Sequence, residues 1–133
     1  MDKRLVCEWF RFADMDLRTA ELKMTYHPKD FEIICFHCQQ AVEKYLKSYL
    51  IACDVVPPKI HDLDALCLMC MEYDDAFLKI AKMCAALSPY GVQPRYPDEL
   101  ELNDTLTHKA LAYAQQIKDF APLQELRMKA GEA

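Results

Sequence analysis

The sequence predicts an all-α domain of five helices. Apolar residues recur at steps of three and four rather than in alternation. Glycine is nearly absent, at Gly91 and Gly131 only. Prolines at 28, 57, 58, 89, 94, 97 and 122 punctuate the chain, and the long segments between them carry no strong strand signal.

The elements follow in order. Over about 3–25, Val6, Trp9, Ala13, Leu17, Ala20 and Met24 share one helical face, and the helix stops ahead of Pro28 because the residue before proline disfavours helical geometry. A second helix spans about 30–53, with Asp30 as its N-cap and Pro57-Pro58 as its stop. A short third covers about 62–72 and a fourth about 74–87. The fifth covers about 104–121, where Leu106, Ala110, Tyr113, Ile117 and Phe120 keep the rhythm. Pro122 then ends or kinks it, leaving 122–133 as a short extra turn or frayed tail after a single domain over 1–121. The connection 88–103 is long for a bundle turn, and with Tyr90, Tyr96 and three prolines it reads as an ordered loop packed on the bundle.

Length and composition agree. A chain of 133 residues is one domain by size and can bury roughly 68–70% of its unfolded surface without a disulfide or metal. A net charge of −5 argues against a general, charge-driven nucleic-acid binder, although a local basic strip is compatible with it. The first residues, MDKRLVCEWFRFADMD, are charged throughout rather than leader-like, and no apolar run approaches the ~20 residues of a membrane span. A cytoplasmic protein with reduced thiols is the expectation.

The stretch CFHCQQAVEKYLKSYL (35–50) opens like a metal or redox motif. On a helical wheel, however, Cys35 and Cys38 fall inside an apolar sector with Phe31, Ile34, Ala41, Val42, Tyr45, Leu46 and Tyr49. His37, Gln40, Lys44 and Lys47 form a separate polar stripe, and Ile33 and Phe36 lie outside the main sector, so the helix is either central or covered by a second subunit; a symmetric dimer is our reading. The pairs Cys35-x2-Cys38 and Cys67-x2-Cys70 are 28 residues apart, in glycine-free helical segments. Zinc ribbons place such pairs on tight turns with shorter gaps, and no strand precedes either pair as in a thioredoxin-type site. No cofactor or metal is expected, and packing is the reading adopted for the cysteines.

Four stretches together resemble a known family. CFHCQQAVEKYLKSYL is similar to the signature of HEPN domains, where a Phe-His pair leads into QQ-x2-EK-x-LK. ADMDLRTAELKM resembles that family's first helix, PKIHDLDAL its Pro-Lys-x-His-Asp-Leu turn, and LSPYGVQPRYPDE its loop before the last helix, spanning about 10–120 in the same order. The resemblance implies an up-and-down bundle of four to five helices, usually dimeric. It also implies a role beside a minimal nucleotidyltransferase in a two-component, toxin–antitoxin-like system. Some branches are metal-independent ribonucleases that carry arginine followed after four to six residues by histidine. The arginines here are 4, 11, 18, 95 and 127, and none has histidine at that distance.

Candidate site residues follow from chemistry. His37, Gln40, Lys44 and Lys47 make a short strip able to receive phosphate, lysine as a mobile point charge and the others as directed hydrogen bonders; the alternative is a solvated face, with Glu43 and Lys47 paired at i, i+4. His61 offers a titratable imidazole, and Asp62 after it suits a helix start. Arg95 can grip phosphate and Tyr96 can stack on a base, or both can anchor the loop. Asp16, in an otherwise apolar helix, is placed to meet one of these basic groups. The function expected is a nucleotide- or RNA-binding component, with a dispersed Arg/His ribonuclease or a purely structural adaptor as alternatives.

Overall fold

The computed structural model describes residues 1–92 and 101–131, and over them the chain is helical with no strand. Helix α1 (Lys3–Tyr26) starts at Asp2, whose carboxylate accepts from Leu5 N at 3.1 Å. Residues 27–30 turn the chain into α2 (Phe31–Ala52), so the two form an antiparallel hairpin. Asp30 holds the N-cap position of α2 but makes no side-chain cap bond; its carboxylate instead takes Lys23 Nζ at 3.2 Å.

The end of α2 is set before the prolines. Asp54 adopts φ 61°, and the bonds Asp54 N→Ile51 O and Val55 N→Leu50 O, both 3.0 Å, close the helix in a Schellman arrangement. Glycine is the usual residue there, and Asp is among the few others that tolerate it. This turn launches an extended strap over residues 55–62 that runs into α3 (Leu63–Met71). Asp62 caps α3 by accepting from Ala65 N at 3.2 Å.

The fourth expected helix divides in two. Asp74 accepts from Ala76 N, only two residues on, and the chain first winds as a 3₁₀ segment (Asp75–Ile80) before continuing as α4 (Ala81–Leu87). A second 3₁₀ turn covers Ser88–Gly91. Of the long loop, Tyr90 and Leu102 are half-buried against the core, and residues 93–100 lie outside the described residues. Helix α5 (Asp104–Lys118) is capped by Asn103, which accepts from Leu106 N at 2.8 Å. Its buried stripe is Thr107, Ala110, Leu111, Ala114 and Ile117, one step round from the expected one, and Leu106 is left exposed.

After Pro122 the chain is not frayed. Helix α6 (Ala121–Lys129) begins there, with proline inside its first turn, where a missing N–H costs nothing. Leu123, Leu126 and Ala130 are buried by it.

Helix α2 is the centre of the bundle and packs against all five other helices. Ile34, Cys35, Cys38, Ala41, Val42, Tyr45 and Leu46 are buried, as the wheel places them, and Ile33 and Phe36 are half-buried. Both CxxC pairs lie on helices with their thiols in the core. No helix among the described residues is long and apolar enough to cross a membrane.

Candidate functional site

A helix packed on every side has little room for polar side chains, so those it keeps must be partnered. Along the edge of α2 the partners are two carboxylates. Asp16, on α1, accepts from His37 Nδ1 at 2.9 Å through one oxygen and from Lys44 Nζ through the other. Burial alone would raise the Asp16 carboxyl. The hydrogen bonds from His37 and Lys44, with the lysine's charge, outweigh that and hold it below the usual carboxylate value. Asp16 thus meets two basic groups where sequence position suggested one.

Glu43 gathers the second set. Its side chain is 6% exposed, and Lys47 beside it is 8% exposed. Lys47 Nζ donates to Oε2 at 3.1 Å, while His61 Nδ1 donates to Oε1 at 2.9 Å. Gln39 joins them, donating to His61 O at 2.8 Å and to Glu43 Oε1 at 3.4 Å, and Gln40 donates to Gln39 Oε1 at 2.8 Å. His61 itself is 64% exposed, so a buried carboxylate fixes one ring nitrogen and leaves the other facing water.

The stripe His37, Gln40, Lys44 and Lys47 is therefore two clusters rather than one open face. His37 and Lys44 share Asp16, while Gln40 and Lys47 belong with Gln39, Glu43 and His61. The two lysines and two carboxylates cancel formally, so net positive charge at this edge depends on the histidines. An ammonium has three donors, however, and in each lysine one of them is directed at a carboxylate. The carboxylates aim these chains without using them up. Arg95 and Tyr96 lie outside the described residues.

Gly91 seals the inner end of the second cluster. A Cβ there would stand 2.8 Å from Gln39 Nε2, so glycine permits the close approach of the 3₁₀ turn. The sequence reading missed Gln39, although QQ between two apolar positions of a central helix signals a buried amide. It named Glu43 only as an exposed salt-bridge partner. Among the described residues no three His, Cys, Asp or Glu side chains converge as a metal-holding group.

Trp9, placed by sequence on the core face of α1, is only half-buried. Its ring lies 6.0 Å from Lys47 Nζ and lines the open grooves on that flank.

Comparison with known proteins gives one family and one structure. A family model described as "HEPN domain" matches residues 6–126. The fold is similar to the crystal structure of TT1696 from Thermus thermophilus, with a TM-score of 0.78, 26% identity, and cover of 95% of this chain and 99% of that one. No curated protein matches the chain.

Proposed function

The chain belongs to the HEPN domain family, and from that premise we propose that it is a cytoplasmic, nucleotide- or RNA-binding component of a two-component, toxin–antitoxin-like system. It works as a homodimer that docks a minimal nucleotidyltransferase. One observation carries the binding role: the half-buried Asp16 and the buried Glu43 hold the basic groups of α2 and the strap in place, with His37, Lys44 and His61 partly exposed and the nearly buried Lys47 reaching the groove beside Trp9. Lys44, Lys47 and His61 then meet phosphate, and His37 and Gln40 add directed hydrogen bonds. Arg95 and Tyr96, outside the described residues, are further candidates by their chemistry alone, a cation for phosphate and a ring for a base.

The test is an affinity pull-down from the native host with intact-mass analysis. Recovery with a nucleotidyltransferase, or a mass increment equal to an added nucleotide, is the expected result. Recovery of an unmodified homodimer alone sinks the two-component reading.

A second reading is favoured by the Glu43–His61 pair, because a carboxylate on Nδ1 leaves the other nitrogen placed to accept a proton. As a ribonuclease the chain would use His61 as base on a 2′-hydroxyl. RNA cleavage by the purified protein that disappears in His61→Ala, with the fold retained, would establish it.

A further inference from the structure

Two concavities flank Trp9. One, of about 230 Å³, is walled by Leu5, Trp9 and Phe12 and ends at Lys44. The other, of about 490 Å³, lies between Trp9 and the strap carrying Pro57 and Pro58, with Lys47 and Lys59 on it. Leu5 and Trp9 line both, so the indole is a wall common to the two, and the larger one is the groove proper.

We propose that this groove is the seat of the nucleotide, with the base stacked on Trp9 opposite the proline strap and the adjacent phosphate shared by Lys47 and Lys59. The inference rests on the nucleotide-binding reading above and gives that site its aromatic platform.

Three observations select this occupant. The wall is a flat indole beside an ammonium, which suits a π-face carrying an anion better than an aliphatic side chain. The charge left at the rim is positive. Lys59 has no ion-pair partner among the described residues, whereas Glu8 is tied to Arg11 at 2.9 Å and Asp54 to the N-terminal ammonium of Met1 at 3.3 Å. Finally, residues 56–60 of the strap make no backbone–backbone hydrogen bond among the described residues, so their C=O groups and the N–H groups of Val56, Lys59 and Ile60 are open to the polar edges of a base. The larger concavity is within the size range of small-molecule sites.

Trp9 is the only tryptophan, so its emission reports on the groove directly. The protein is titrated with AMP and, separately, with single-stranded oligoadenylate, following emission and equilibrium dialysis in parallel. Saturable quenching that tracks dialysis is expected, with affinity about tenfold weaker in Trp9→Leu and largely kept in Trp9→Phe, both read by dialysis. Lys59→Ala weakens binding about threefold in the folded protein. Saturation by AMP identifies a free nucleotide, and saturation by oligoadenylate alone identifies an RNA segment. Binding by dialysis with unchanged emission and no loss in Trp9→Leu overturns the groove while leaving nucleotide binding intact. No binding of either probe at millimolar concentration overturns both.

Discussion

Arg127 and Asp14 stand 113 residues apart in sequence and meet fork to fork, Nη1 donating to Oδ2 at 2.9 Å and Nη2 to Oδ1 at 3.0 Å. Tyr45 donates its hydroxyl to the same carboxylate at 2.6 Å, and the guanidinium lies 4.5 Å from the centre of the Phe10 ring. One carboxylate thereby ties α1, α2 and α6 together, which is why the chain after Pro122 is a docked helix.

The clasp makes a pH-dependent prediction. Burial pushes the Asp14 carboxyl up, but the hydrogen bonds from Arg127 and Tyr45 and the arginine's charge pull it net below its ordinary value. A depressed folded-state value means the stabilisation is complete above the unfolded carboxyl value of about 3.9 and is lost as pH falls through the folded one. Asp14→Asn is therefore expected to cost about 2 kcal/mol at pH 7 in urea unfolding. The gap to the unsubstituted protein should close below about pH 4. A gap constant down to pH 2.5 would show that shape rather than charge is at stake.

The Gly91–Gln39 approach predicts a conditional cost. In Gly91→Ala the new methyl must displace a fully buried amide that holds His61 by its carbonyl. A loss of about 1–2 kcal/mol is expected by thermal or urea denaturation, as for other overpacked interiors. In a Gln39→Ala background the same substitution should cost close to nothing, because the atoms it strikes are gone. Equal costs in both backgrounds would place the clash elsewhere.

Helices α1 and α2 were legible because apolar steps of three and four and the prolines beyond their ends agree with the packing, although the cap that forms is Asp2 on α1, not singled out in the sequence, and Asp30 on α2 makes no cap bond. Helix α6 was not, because proline both breaks helices and starts them. Only the extended backbone of Phe120, ahead of Ala121 and Pro122, settles which applies. Lys47 shows the other limit. A wheel of α2 sets Lys47 with Lys44 on a polar edge, but it contains nothing of Trp9 or the strap, which cover Lys47 and leave Lys44 partly open. The burial of Glu43 and Gln39 escaped notice for the same reason, since burial of a polar residue is decided by other elements.

The cysteines predict a reactivity pattern. Cys35, Cys38, Cys67, Cys70 and Cys84 are buried, and Cys7 and Cys53 are half-buried. Burial pushes the thiols of Cys38 and Cys70 far up, which starves them of the reactive thiolate. At pH 8 an aromatic disulfide reagent should titrate at most two thiols of the folded protein within minutes, and all seven in denaturant. Fast reaction of three or more would mean that the core between α2 and α3 opens.

The Glu43 cluster predicts an asymmetry that separates support from binding. Glu43→Leu leaves the Lys47 ammonium almost fully buried without its counter-ion, and breaking a buried pair from that side costs about 3 kcal/mol or more. Lys47→Met is milder, about 1 kcal/mol, because the carboxylate keeps His61 and Gln39 as donors and the thioether fills the space beside Trp9. Combining the two should recover part of the first loss, giving a coupling of at least about 1 kcal/mol in a double-mutant cycle of urea midpoints. Lys47→Met is then the variant for ligand titration, since it removes a phosphate donor while the fold survives. Equal destabilisation by Lys47→Met and Glu43→Leu would instead make the ammonium a structural counter-ion, and phosphate binding at this edge would fall to Lys44, Lys59 and His61.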